Sequence, residues 1–203
     1  MSKKYNKEED FSGISDMLEG RHHVIPIMTG DDGDMMEKVD IPDILPILTL
    51  RSSVLFPGSI TPITVGRDKS MRLVRDVESA NGILGALLQK EPEVEQPGPD
   101  DLYRIGTAAR ILKVLEMPNG NLTVILQGLE KIEVRDFVVS DPYFKASVMT
   151  LKDSVPEPNN IEFDALVDSI KDVALNIINV SPQMPKEATF AIKNIDNKRG
   201  IIN

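Results

Sequence analysis

The side chains that could carry chemistry are few in this sequence. His22 and His23 are the two histidines among 203 residues. Adjacent side chains of an extended segment point in opposite directions, whereas a metal ion needs about three or four converging ligands. The cluster Asp31-Asp32-Gly33-Asp34 lacks the alternating carboxylates and closing glutamate of a calcium loop. We therefore predict no metal site.

Catalytic groups are equally hard to find. The chain contains no cysteine, which excludes disulfide bonds, thiolate metal ligands and a cysteine nucleophile. A serine–histidine–acid triad would have to take its base from the polar N-terminal segment, and no serine–lysine pair is marked as desolvated or oriented. The sequence predicts no catalytic residue and no cofactor site within these residues.

The charge restricts the class of partner. The formal net charge is −9, and residues 1–42 contribute −5 of it through ten acidic and five basic side chains. A nucleic-acid binder must neutralise phosphates with a basic face, so the acidity disfavours one. No apolar run is long enough to span a membrane, and no secretory signal is present. We expect a cytoplasmic protein without a membrane partner.

The elements that would position a site begin after an acidic leader. Residues 1–42 lack sustained periodicity, so we expect them to be disordered or loosely attached, although the apolar piece 22–28 could pair as a strand or dock locally. The apolar runs 44–50 and 59–65 each contain proline and suit strands near a sheet edge. Between them, residues 56–59 (FPGS) fit a type II turn.

The next segments predict one helix among several strands. Residues 68–80 have helical spacing, and 83–89 is an apolar run of strand length. Residues 105–117 and 122–132 flank an Asn-Gly turn, the strongest short-range hairpin signal. Two further strands are predicted at 133–139 and 143–151. Together these elements indicate an α+β fold, with a small, mostly antiparallel pseudo-barrel over residues 43–152 and one inserted helix.

A helical segment is predicted after a linker at 153–160. Apolar residues at spacings of three, four and seven predict an amphipathic helix over 161–180, and a second helix starts at Pro185. Two helices cannot bury both of their apolar stripes alone. We therefore expect residues 161–203 to be the start of a helical bundle that is truncated here.

Ordered motifs over residues 44–152 give the chain a family resemblance. Residues 45–51 (LPILTLR), 54–58 (VLFPG) and 62–67 (PITVGR) resemble the opening of the N-terminal domain of Lon, the ATP-dependent serine protease. Residues 100–111 resemble its DLYxVGTxAxI segment, and 122–130 resemble its VLVEGLxR strand. The residues that carry these motifs are Leu50, Arg51, Phe56, Pro57, Gly58, Gly66, Arg67, Gly106 and Gly128.

The resemblance implies a barrel like that of pseudouridine synthases and archaeosine transglycosylases (PUA-like), followed by a helical bundle. It also implies recognition of unfolded, damaged or degron-bearing proteins and support of a homohexamer. This chain has no G-x-x-x-x-G-K-[ST] phosphate loop, so ATP and magnesium would bind elsewhere in a parent Lon protease. We expect the chain to be a non-catalytic piece of that serine endopeptidase.

Two interpretations of the Pro-Gly corner bear on substrate contact. In one, Phe56 anchors the corner in the barrel and Gly58 supplies the backbone angle. In the other, Leu55 and Phe56 form an exposed apolar patch near Met117 and Pro118 of the hairpin tip, which makes these four residues candidates for substrate binding. Capture in a groove and strand addition at a sheet edge both remain open.

Two other functions remain open. A free-standing Lon-domain adaptor would bind a ligand or degron without any ATPase, and a phosphate loop downstream would argue against it. An RNA-binding PUA-like domain rests on fold analogy alone, and a salt-dependent RNA titration would test it.

Overall fold

The computed structural model describes residues 39–152, 160–181 and 187–193. The predicted leader, except for residues 39–42, and the predicted linker, except for residue 160, lie outside the described residues. The same holds for residues 194–203. The predictions for those segments therefore stay predictions.

The described residues form six strands and three helices. The strands are β1 (Ile44–Leu50), β2 (Ile60–Val65), β3 (Ile83–Leu88), β4 (Ile105–Glu116), β5 (Leu122–Val139) and β6 (Lys145–Thr150). The helices are α1 (Asp68–Ser79), α2 (Ile161–Val180) and α3 (Glu187–Lys193), and a short 3-10 turn covers Pro99–Asp101. The separate strand predicted at 133–139 is wrong, because β5 runs through it. Register shifts against β6 near Val134 and Phe137 bend β5 without ending it.

The strands form one sheet in the order β2-β5-β4-β3-β1-β6, and β5 also pairs with β6. Five strands therefore make a closed circuit of pairings, while β2 lies outside it along the first half of β5. β1 and β3 pair in parallel, and the other pairings are antiparallel. The sheet is mostly antiparallel, as predicted, but the attachment of β2 means that it is not a clean barrel.

The two strand prolines sit where a missing N–H group is tolerated. β2 pairs with β5 alone, so it is an edge strand as predicted. β1 is not an edge strand, because β6 pairs with residues 44–46 and β3 pairs with residues 47–50. Pro46 lies at the switch between these two partners, so its nitrogen removes no bond from the parallel ladder.

Two clusters of buried side chains form the core. The first lies between α1 and the sheet, and the second lies at the other end of β1 and β5. β1 and β5 contribute to both clusters. The first cluster contains Leu48, Leu50, Leu55, Leu73, Val74, Val77, Leu122, Val124, Leu126 and Tyr143 among others. The second contains Leu45, Ile47, Leu87, Leu102, Ala108, Ile132, Val134, Ala146 and Val148.

Tyr143 joins the segment before β6 to α1. Its ring is buried in the first cluster, and its hydroxyl donates a hydrogen bond of 3.0 Å to Oδ2 of Asp76. Burial, followed by the hydrogen bond to Asp76, raises the pKa of the Tyr143 hydroxyl above its ordinary value of 10.0. The folded chain therefore holds the protonated phenol more tightly than the unfolded chain does.

This shift predicts a loss of stability in alkali. Because the pKa is raised on folding, the stabilisation is complete below about pH 10 and disappears as the pH rises through the folded pKa. We expect the free energy of unfolding to fall more steeply above pH 10 for the native chain than for Tyr143→Phe. Chemical denaturation at a series of pH values measures the difference. Parallel curves for the two chains would contradict this role.

α2 begins at a capped end and carries an uncovered apolar stripe. The side-chain oxygen of Asn160 accepts a hydrogen bond of 3.0 Å from the N–H of Phe163. Leu166, Ile170, Val173 and Ile177 remain between 45% and 58% exposed. The helix is present as predicted, while the bundle that would cover its stripe stays a prediction. In the described part of the chain, no helix has the length and apolar character that a membrane span requires.

Candidate binding site: an apolar cleft beside the Pro-Gly corner

The Pro-Gly corner is a type II turn joined to β5. Gly58 has a φ of 78°, and the N–H of Ser59 donates a hydrogen bond of 3.2 Å to the carbonyl of Phe56. The N–H of Gly58 bonds to the carbonyl of Gly128, and the N–H of Gly128 bonds to the carbonyl of Ser59. This is the arrangement of a bulge with glycine at its first position. The corner is therefore fixed in position at the start of β2.

Leu55, rather than Phe56, anchors this corner. Leu55 is only 2% exposed, and its carbonyl accepts a bond of 2.6 Å from the hydroxyl of Thr107. Phe56 is 41% exposed. The expectation that Phe56 is the anchor is wrong, and so is the expectation that Leu55 is exposed. The required backbone angle at Gly58 is confirmed by its positive φ.

An apolar cleft opens beside the corner. Its volume is about 490 Å³, and we call it the corner cleft. Four of its large apolar or aromatic side chains, Val54, Phe56, Tyr103 and Ile105, are each about half exposed. The full lining is Leu50, Val54, Leu55, Phe56, Pro57, Ala86, Leu88, Tyr103, Arg104, Ile105, Gly106, Thr107 and Lys131. Exposed apolar side chains grouped in this way usually mark an interaction surface.

The charged residues that line the cleft are both cations. Arg104 and Lys131 belong to the lining, and no described carboxylate does. A guanidinium nitrogen of Arg104 lies 3.9 Å from Oδ1 of exposed Asp100, and its central carbon lies 5.3 Å from the ring centre of Phe137. The cleft therefore combines an apolar floor with positive charge, in a chain whose net charge is −9.

The hairpin tip does not belong to this surface. Met117 and Pro118 are exposed, but they follow the far end of β4, whereas the corner contacts β5 at Gly128, opposite Ala109. Met117 is eight positions after Ala109 along β4, which is about 26 Å at about 3.3 Å per residue. The predicted joint patch of Leu55, Phe56, Met117 and Pro118 is therefore not formed. Phe56 alone among the four is an exposed part of the cleft.

The glycines in the motifs are positions of close contact. A Cβ atom on Gly128 would overlap the carbonyl oxygen of Phe56, and one on Gly106 would overlap the carbonyl oxygen of Ala86. A Cβ atom on Gly66 would lie 2.9 Å from Oδ1 of Asn121. These glycines allow the corner, β3 and the hairpin turn to pack closely. Their role is structural, and Gly106 alone of the three lines the cleft.

Arg67 holds the loop that follows β3. Its guanidinium donates to Oγ1 of Thr49 at 3.1 Å, to Oε1 of Gln89 at 2.8 Å and to the carbonyl of Val94 at 3.2 Å. Burial, followed by the nearby charge of Arg51, lowers the pKa of Arg67. Arg51 itself is exposed at the end of β1. Arg67 therefore fixes the acidic loop against the sheet and does not line the cleft.

Sequence reasoning missed Val54, Tyr103 and Ile105. Tyr103 and Ile105 belong to the motif DLYRIG. The family resemblance identified this motif but did not indicate that it lies beside the Pro-Gly corner. That proximity depends on the pairing of β3 with β4, which brings Gly106 against Ala86. Within the described ranges, no group of three or more histidine, aspartate or glutamate side chains is arranged to hold a metal ion.

Comparison with known proteins gives a consistent result. A family model described as the ATP-dependent protease La (LON) substrate-binding domain matches residues 44–203. A Lon protease of Flavobacterium johnsoniae is 47% identical over 180 residues, covering 89% of this chain and 22% of that protein. One of Cytophaga hutchinsonii is 38% identical, covering 86% of this chain and 22% of that protein. The chain thus spans about a fifth of the length of these relatives.

The fold has a counterpart among solved structures. The N-terminal domain of a Lon protease from the Mycobacterium avium complex superimposes with a TM-score of 0.57 at 18% identity. The match covers 78% of each chain. At this identity the likeness concerns the fold alone.

Proposed function

The chain belongs to the family of the Lon (protease La) substrate-binding domain, and from that premise we propose that its corner cleft binds apolar segments of unfolded or damaged proteins. The observation that carries the proposal is the group of half-exposed side chains, Val54, Phe56, Tyr103 and Ile105, around an apolar cleft. Such segments are buried in folded proteins and become available on unfolding.

The sheet edge favours groove contact over strand addition. Gly128 donates to Ser59, so in the alternating antiparallel ladder Thr61, Ile63 and Val65 bond to β5. Pro62 then faces the open side of β2 and offers no N–H group there. Proline at such a position hinders the pairing of another strand with this edge, because it cannot donate a hydrogen bond. We therefore place capture in the cleft.

The parent protein supplies the rest of the proposal. We propose that this chain is the non-catalytic part of a cytoplasmic, ATP-dependent Lon protease that binds ATP and magnesium elsewhere. A homohexamer would present several cleft copies, so that weak individual contacts combine into useful avidity. A PUA-like barrel is part of the same proposal, supported by the closed circuit of strand pairings. A free-standing adaptor would use the same cleft without degradation.

The cleft can be tested with a soluble unfolded polypeptide, reduced and carboxymethylated α-lactalbumin. Removing the exposed apolar side chain in Ile105→Ser is expected to weaken binding about tenfold, which corresponds to about 1.4 kcal/mol. Fluorescence anisotropy measures the dissociation constant. Val138→Ser is the matched control, because Val138 is also a half-exposed strand residue but does not line the cleft. Unchanged binding by a folded Ile105→Ser chain would refute the site.

A further inference from the structure

The leader contains a segment whose sequence suits the corner cleft. Residues 24–28 read VIPIM and resemble residues 44–48 of β1, which read ILPIL. Both are apolar runs with proline at the third position. Residues 29–40, which connect the leader segment to the fold, contain five acidic side chains and one basic side chain, a net charge of −4. The leader thus joins an apolar segment to a strongly acidic one.

The cleft offers the complementary combination. Its floor is apolar, Arg104 and Lys131 are its charged lining residues, and no described carboxylate lines it. An apolar segment followed by carboxylates therefore matches the apolar floor, and its carboxylates would compete with exposed Asp100, 3.9 Å from Arg104, for that cation. Complementary charge of this kind favours one ligand over other apolar ligands.

We propose that residues 24–28 of this chain occupy the corner cleft as an internal competitor of unfolded substrates. The inference rests on the proposed function of the cleft and adds an occupant that the chain itself supplies. Asp31, Asp32 and Asp34 follow this apolar segment and supply the carboxylates that would contact the cations. Substrate must displace the leader to enter.

The connecting chain is long enough for this contact. Residue 39, where the described fold begins, is eleven positions after residue 28, and Leu50, which lines the cleft, is eleven positions after residue 39. The distance from residue 39 to Leu50 cannot exceed the reach of eleven extended residues, about 36–40 Å. The segment from residue 28 to residue 39 has the same maximum reach, so residue 28 can return along β1 to the cleft.

A tethered segment competes well even when its own affinity is low. A short flexible linker gives an effective concentration of about a millimolar. A leader segment that binds with a dissociation constant of some tenths of a millimolar then fills most clefts and weakens substrate binding about fivefold. A substrate with several apolar segments bound across a hexamer would still displace it.

The absence of cysteine allows a direct test on the full chain. A nitroxide attached at Thr29→Cys is expected to broaden the amide NMR signals of residues 54–56 and 103–105. The added substitutions Ile25→Ser and Ile27→Ser are expected to abolish that broadening, because they remove the apolar contacts but leave the tether unchanged. Absence of broadening at the cleft, or broadening that survives the two substitutions, would overturn the proposal.

Binding of carboxymethylated α-lactalbumin separates this inference from the proposed function. The Ile25→Ser/Ile27→Ser chain is expected to bind it about fivefold more tightly than the native chain. Equal affinity for both chains, with Ile105→Ser still weakening binding, would overturn the internal competitor and leave the function intact. If neither chain binds the unfolded protein, the proposed function fails, and the nitroxide result alone decides whether the leader occupies the cleft.

Discussion

Gly128→Ala is expected to lower the free energy of unfolding by about 3 kcal/mol, at the upper end of overpacking costs. The added Cβ would overlap the backbone carbonyl of Phe56 and lie 3.3 Å from Cγ2 of Thr107. The Phe56 oxygen cannot move away cheaply, because it accepts bonds from both the N–H and the hydroxyl of Ser59. The substitution therefore forces the corner off β5 and disrupts the wall of the cleft. Urea denaturation followed by circular dichroism measures the change.

Gly120→Ala is the matched control for this prediction. Gly120 also lies at a turn, with a φ of 83°, but a Cβ atom there meets nothing within 4 Å. Gly120→Ala is expected to lower the free energy of unfolding by about 1 kcal/mol, because alanine is disfavoured in the left-handed backbone conformation. If both substitutions cost the same, close packing of the corner against β5 does not explain the glycine at position 128.

Arg67→Met is expected to cost about 2 kcal/mol through the polar atoms that it leaves unpaired. Gln89 is 1% exposed, and its amide nitrogen donates to the carbonyls of Glu91 and Val94, each at 2.6 Å. Its amide oxygen accepts from Arg67 at 2.8 Å. Methionine retains much of the apolar stem but donates no hydrogen bond, so the buried oxygen loses its partner. Urea denaturation gives the loss in stability, and amide exchange in the loop after β3 should accelerate.

Two comparisons distinguish this role from general sensitivity to arginine removal. Arg75→Met breaks an exposed ion pair with Glu116, whose side chains are 60% and 79% exposed, and should cost less than about 1 kcal/mol. Arg67→Met combined with Gln89→Met should lower the free energy of unfolding by less than the sum of the two single losses. Removing both partners leaves no amide oxygen without a donor. Strict additivity would show that the two residues act independently.

The local elements were predictable because their signals are local. The Asn-Gly turn fixed the hairpin between β4 and β5, and the Pro-Gly pair fixed the corner with its positive φ at Gly58. Helical spacing located α1 and α2 to within about a residue. The resemblance then identified the family without any knowledge of the side-chain packing.

Features that depend on distant partners were not predictable. Thr123 alternates with Leu122 and Val124, a pattern that predicts a wetter face of β5, yet Thr123 is 8% exposed, opposite Thr64 of β2 and Leu115 of β4. Leu55 and Phe56 are neighbours with similar hydrophobicity, and their exposed fractions of 2% and 41% show which side chain turns inward. The cleft also needs Tyr103 and Ile105, which lie about 50 residues further along the chain. Nothing in a local pattern brings them together.

The length of β5 bears on how this protein loses its structure. A single strand supplies Leu122, Val124 and Leu126 to one buried cluster and Ile132 and Val134 to the other, and β1 is divided in the same way. If either half of the sheet unfolds, the buried cluster in the other half loses side-chain contacts from β1 and β5. We expect the amides in the middle of β1 and β5 to exchange slowly and to give one shared free energy of opening, as members of a single cooperative unit.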